Sequence, residues 1–122
     1  MDRSKFVDKI KPHEGGFMKT GPNRIGRLDI ELSDRCDNNC IHCSINIPEN
    51  STEKERELST NEWKRIIKEA ADLGVMAIRF TGGEPLLRDD FEELYTFTRK
   101  LGIKVILFTN ARKINRELAA LF

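Results

Sequence analysis

The sequence is poor in several features that would have settled its class at once. Its 122 residues contain three cysteines, two histidines, one tryptophan and one tyrosine. Three cysteines is an odd number, and all three fall within eight residues, at Cys36, Cys40 and Cys43. A disulfide framework needs pairs spread along a small secreted chain, so it is excluded in favour of thiols gathered for a metal. No apolar run is long enough to span a bilayer. The opening MDRSKFVDKIKPHEGG carries no apolar core of a secretory signal. Neither sign of charge prevails, because 21 Lys and Arg face 20 Asp and Glu, a net charge of +1. That balance gives no electrostatic case for nucleic acid or an anionic membrane as the main partner. The expectation is a chain of the cytoplasm.

What remains is an ordinary globular mixture, 39% hydrophobic and 34% charged, of a length that allows one modest core. Half of the eight glycines and two of the four prolines lie in residues 1–26. This stretch reads as an N-terminal arm with at most a short helix around Phe6 to Ile10. Residues 27–122 read as the core. Leu28, Ile30 and Leu32 alternate with Asp29 and Glu31, the period of a strand with one buried face. The cysteine loop follows, and then a polar connection over residues 44–58, long for a compact domain. Ser59 and Glu62 fit a capping box, after which Trp63, Ile66, Ile67, Ala70 and Ala71 fall at helical spacing up to Gly74. Trp63 is expected in the core. A second helix from about Asp90 carries Phe91, Leu94, Tyr95 and Leu101 on one side and stops at Gly102.

The segments after these helices match. Residues 73–81 align with 101–109 at a shift of 28, with Leu, Gly, Ile, Phe and Thr in common. The interval is one helix plus one strand, so the chain repeats a βα unit. A third helix begins near Asn115. The expected class is therefore α/β, with about three βα units and a parallel sheet covered by helices. Three strands make a poor free-standing barrel, and the last one, KVILFTN, is expected as an open edge. The expectation is a truncated core belonging to something larger.

Two motifs carry chemistry. Cys36-Asp-Asn-Asn-Cys40-Ile-His-Cys43 is C-x3-C-x2-C, three thiolates on one tight loop. Three thiolates can hold three irons of a cubane and leave the fourth open to another ligand. A zinc site completed by His42 or His13 is the alternative, although adjacent His42 and Cys43 are poorly placed to reach one tetrahedral ion. Thr81-Gly82-Gly83-Glu84-Pro85 lies where the second strand ends, the face on which α/β sheets bind ligands. Its glycines allow close approach of backbone to a ligand, and Glu84 is an acceptor suited to an ammonium group. A plain Gly-Gly turn with a solvated Glu is the alternative for that motif alone.

Together these residues resemble the radical S-adenosylmethionine (SAM) enzymes. The match comprises Cys36, Cys40 and Cys43 after the first strand, Gly82, Gly83 and Glu84 at the end of the second, and Thr109 with Asn110 at the end of the third. The resemblance covers residues from about Arg27 onward. It implies the N-terminal portion of a partial (β/α)6 TIM-like barrel, and it implies a 4Fe–4S cluster on the three cysteines whose open iron is chelated by SAM. Gly82, Gly83 and Glu84 are expected to receive the SAM amino group. Thr109 and Asn110 are expected near its carboxylate or ribose, and His42, where the family usually has an aromatic residue, near its adenine. One electron then splits SAM, and the 5′-deoxyadenosyl radical abstracts hydrogen from a substrate. No side chain is assigned a catalytic role beyond this binding. A low-potential donor such as a flavodoxin or ferredoxin is implied as partner. The run Glu57-Leu58-Ser59 before Trp63, with GGEPLLRDDF, is most similar to the branch with SPASM or twitch extensions. That branch mostly modifies ribosomally made peptides, and the molybdenum-cofactor cyclase is a relative. The rival reading is a truncated, non-catalytic module that binds an iron–sulfur cluster or zinc without turnover.

Overall fold

The computed structural model describes residues 25–45 and 57–122. Residues 1–24, with the short helix expected around Phe6 to Ile10 and with His13, lie outside it, as does most of the polar connection. The order of elements is β1 (Arg27–Ser33), α1 (Thr60–Asp72), β2 (Ala77–Gly82), a 3-10 turn (Pro85–Leu87), α2 (Phe91–Lys100), β3 (Lys104–Leu107) and α3 (Arg116–Leu121). The three strands are parallel, with β2 between β1 and β3. This is the βα array that the repeat predicts.

Two of the three described helices, α1 and α3, begin where a side chain occupies an orphan amide of the first turn, whereas Asp90 before α2 makes no such bond. Ser59 accepts from Glu62 N while the Glu62 carboxylate accepts from Ser59 N, so the capping box forms in both directions. Asn115 caps α3 through Leu118 N. Gly74 and Gly102 follow the two long helices at φ 83° and 79°, the left-handed turn that a side chain resists.

Alternation along the strands then decides which face is covered. Ile30, Leu32, Ile78 and Phe80 are buried on the side packed by Ile67, Ala70 and Ala71 of α1 and by Phe91, Leu94 and Tyr95 of α2. Phe91 meets Phe80 edge-on with ring centroids 6.1 Å apart. Trp63 is half-buried against this core rather than inside it. Among the described residues no helix is long and apolar enough to cross a membrane.

The repeat departs from its expected register in one respect. The shift of 28 holds for Val75 and Ile103, both buried after their glycines. In the sheet, however, Ile78 pairs with Val105 and Phe80 with Leu107, a shift of 27. The extra residue is absorbed before β2, where Met76 N and Ala77 N both donate to Gly26 O. A change of one residue turns every later side chain to the opposite face. Phe80 is thus fully buried, whereas Phe108 is 52% exposed on the other side of the sheet, under the Arg79 guanidinium at 4.5 Å.

This register has a measurable consequence. Phe80→Ala is expected to lower stability by about 3–5 kcal/mol. Phe108→Ala loses chiefly a partly solvated cation–π contact, about 1 kcal/mol. Equal costs in denaturant unfolding would contradict the register.

Candidate functional site

The three strands end side by side, and the loops that leave them enclose a cleft of about 340 Å³. All nine residues singled out from the sequence line it: Cys36, Cys40, His42 and Cys43 from the loop after β1, Gly82, Gly83 and Glu84 after β2, and Thr109 and Asn110 after β3. Segments as much as 74 positions apart in sequence thus meet at one mouth. Parallel strands have that effect, because every C-terminal end points the same way.

The loop after β1 is seated by backbone. Gly83 N donates to Ser33 O at 2.7 Å and Glu84 N donates to Arg35 O at 2.7 Å, continuing the ladder past the end of the strands. Gly82 makes this possible. It sits at φ 129°, and a Cβ there would lie 2.4 Å from Ser33 O. The neighbouring strand by itself thus requires glycine at this position, which also lines the cleft.

Glu84 is held within its own chain as well. It is 1% exposed, and its carboxylate accepts from three donors of its own chain. Leu86 N lies at 3.0 Å, Thr109 Oγ1 at 2.7 Å and Asn110 N at 2.8 Å. An ionised carboxylate offers about four acceptor positions, so roughly one remains for a ligand. Thr109 and Asn110 are likewise engaged. Asn110 Nδ2 donates to Asp37 Oδ1 at 2.8 Å, and Arg112 Nη1 donates to Asp37 O, so the loop after β3 grips the residue next to Cys36. Ala111 takes φ 65°, which costs a non-glycine about 1–2 kcal/mol, and its N–H donates to Thr109 Oγ1.

A second network secures the loop from behind. Arg35 donates twice to Glu57, through Nε at 2.8 Å and Nη2 at 3.1 Å, and Ser33 Oγ donates to the same carboxylate. Arg88, with a side chain 6% exposed, forks onto Asp90 at 2.8 and 2.7 Å and reaches Leu32 O at 3.2 Å. Thr60 Oγ1 donates to Asp90 at 2.6 Å, joining the start of α1 to the start of α2. Burial pushes the Glu57 carboxyl up, but hydrogen bonds from Arg35 and Ser33 and the charges of Arg35 and Arg88 outweigh it and hold it below the usual carboxylate range. Asp90 follows the same balance, with burial opposed by Arg88 and Thr60. The hydrogen bond to Glu57 holds Arg35 above its usual value.

The donor set fits three corners of an iron–sulfur cluster. Three thiols line one cleft, none is in a disulfide, Cys36 and Cys40 are half-buried and Cys43 is exposed. Cys43 N donates to Cys40 O at 3.1 Å, closing the loop into a turn. Among the described residues no group of three His, Cys, Asp or Glu side chains is set to hold a single metal ion. His42 is exposed and lines the cleft, and so does Phe108.

The sequence model of the Radical SAM superfamily matches residues 30–122. A PqqA peptide cyclase of Rhodopseudomonas palustris is 44% identical over 96 residues, covering 75% of this chain and 24% of that protein. An Fe-coproporphyrin III synthase of Methanosarcina barkeri is 39% identical over 88 residues, 72% of this chain and 22% of that protein. Among solved structures, Streptococcus suis SuiB bound to its precursor peptide SuiA superposes with a TM-score of 0.67 at 29% identity, over 79% of this chain and 21% of that one. SuiB bound to S-adenosylmethionine superposes equally well, at 28% identity. The chain spans about a quarter of the length of the curated relatives it matches. The fold is that of the N-terminal part of their TIM-like barrel.

The rear network fixes a pH dependence. Glu57 and Asp90 bind a proton less readily folded than unfolded, so their contribution is complete above their unfolded values, about 4.3 and 3.9, and is lost as pH falls through the lower folded ones. Glu57→Gln should lower stability at pH 7 by about 1–3 kcal/mol and flatten the acid limb of the stability profile. An acid limb unchanged in the variant would show that Glu57 carries none of it.

Proposed function

The chain belongs to the radical SAM superfamily, and from that premise we propose that it binds a 4Fe–4S cluster through Cys36, Cys40 and Cys43 and S-adenosylmethionine at the open iron. The observation that carries this reading is the meeting of all nine residues at one cleft formed by the strand ends. Held by Cys36, Cys40 and Cys43, the cluster would supply the electron for reductive cleavage of bound SAM, the chemistry by which a hydrogen atom would be taken from a substrate.

The chain's own part is to bind and orient. Three thiolates on a loop fixed by Ser33, Arg35 and Asp37 hold their positions with little freedom to lose on loading. Gly82, Gly83 and the acceptor position left on Glu84 take the SAM amino group. Thr109 and Asn110 set the depth of the cleft floor through Glu84, and they face the carboxylate or ribose from there. His42 and Phe108 give the flat walls between which an adenine can lie.

A peptide is the proposed substrate. Support comes from the 44% identity to a PqqA peptide cyclase and from the likeness to SuiB, which was solved with a precursor peptide. The 39% identity to an Fe-coproporphyrin III synthase supports a tetrapyrrole as the second reading. A low-potential flavodoxin or ferredoxin is the proposed donor. The rival, a module that binds without turnover, predicts no cleavage of SAM.

Anaerobic reduction of the iron-loaded chain with SAM separates these readings. Formation of 5′-deoxyadenosine is expected, and it should fall to background when Cys36, Cys40 or Cys43 is replaced by Ala, because no spare cysteine exists. A loaded parent that forms none is a binding module. A single variant that keeps full iron and activity would overturn the ligand assignment.

A further inference from the structure

The cysteine loop carries one side-chain contact to sulfur that the proposed function does not use. Asn38, half-buried between the first two cysteines, donates from Nδ2 to Cys40 Sγ at 3.2 Å. The other end of the same amide is also engaged, since Asn39 N donates to Asn38 Oδ1 at 3.1 Å. That second bond fixes which way the amide faces. With the oxygen committed to a backbone N–H, the atom turned toward sulfur is the NH2 group, a donor. The loop cannot drift, because Asp37, the residue before, is held by Asn110 and Arg112. Asn38 also lines the cleft, on the side of the three thiols.

We infer that Asn38 is a positioning residue that raises the reduction potential of the cluster by donating a hydrogen bond to the Cys40 sulfur. The inference rests on the reading that Cys40 is a cluster ligand. Hydrogen bonds to cluster sulfurs are among the factors that set cluster potential. An added electron places more negative charge on the thiolate sulfur, so an N–H dipole aimed at it stabilises the reduced form more than the oxidised one. Asn38 therefore eases the entry of the electron that SAM cleavage needs. Its neighbour Ile41, in the same loop, is fully exposed and offers no such contact.

The test is an anaerobic potentiometric titration of the iron-loaded chain without SAM, with the reduced cluster followed by EPR. Asn38→Ala removes the donor. Asn38→Asp keeps the shape and the acceptor for Asn39 N–H but brings a carboxylate to the sulfur. At the parent's midpoint potential, the ratio of reduced to oxidised cluster is expected to fall roughly tenfold in Asn38→Ala. That corresponds to about 59 mV for a one-electron couple. A larger fall is expected in Asn38→Asp and none in Ile41→Ala. The iron–thiolate stretch in resonance Raman should rise in Asn38→Ala, because a hydrogen bond weakens that bond. An Asn38→Ala cluster with the parent's potential and stretch would overturn the inference, as would a fall of equal size in Ile41→Ala. If Asn38→Ala takes up too little iron to titrate, Asn38→Gln, whose amide sits one methylene further on, is expected to show the same fall, and an unchanged potential there is equally fatal. A parent chain that takes up no iron would remove the cluster reading and this one together. A loaded parent with unmoved variants removes this one alone.

Discussion

The arrangement at the strand ends depends on one buried carboxylate. Glu84 has almost no contact with solvent, and an ion in that position is tolerated only when its oxygens are satisfied. Leu86 N, Thr109 Oγ1 and Asn110 N satisfy three of its acceptor positions. In doing so they draw the loop after β3 onto the end of β2. Glu84 N, in turn, donates to Arg35 O one residue before Cys36. A single residue thus binds the exits of all three strands together, and the cleft is the space between them.

The same dependence explains why residues that look like ligand contacts are largely occupied by one another. Asn110 serves Asp37, Thr109 serves Glu84, and Gly82 makes room for Ser33 O. Preorganisation of this kind leaves little for a ligand to rearrange, so binding energy is not spent on ordering the loop. The Ser33–Arg35–Glu57–Arg88–Asp90 network supports the loop from the opposite side, away from the cleft. Its charges are nearly removed from water and mutually paired, the condition under which such pairs fix geometry and are costly to break.

Much of this was legible in the sequence because it was local or periodic. The capping box at Ser59, the stops at Gly74 and Gly102 and the three βα units follow from spacing alone, and the nine site residues follow from two motifs and a resemblance. What stayed hidden depends on register or on distance. A single extra residue near Met76 sends Phe108 to the cleft, although the repeat aligns it with buried Phe80. Asp37 and Asn110 are 73 positions apart, and no composition or period links an Asx pair across that interval. Gly82 was legible as a glycine that matters, but the atom it makes room for belongs to β1. Asn38 carries a signal that could be sought, a short amide two residues before a cysteine, though spacing cannot say which end of the amide faces the sulfur.

The central claim, that Glu84 organises the site before it meets any ligand, is tested most directly by hydrogen exchange and denaturant unfolding of Glu84→Ala with no cluster or SAM present. Three part-buried donors lose their buried acceptor, so a stability loss of about 3 kcal/mol is predicted. Loss of protection at the Asn110 amide is predicted with it. A variant as stable as the parent, with Asn110 still protected and only its SAM affinity reduced, would contradict the claim and make Glu84 a ligand contact alone.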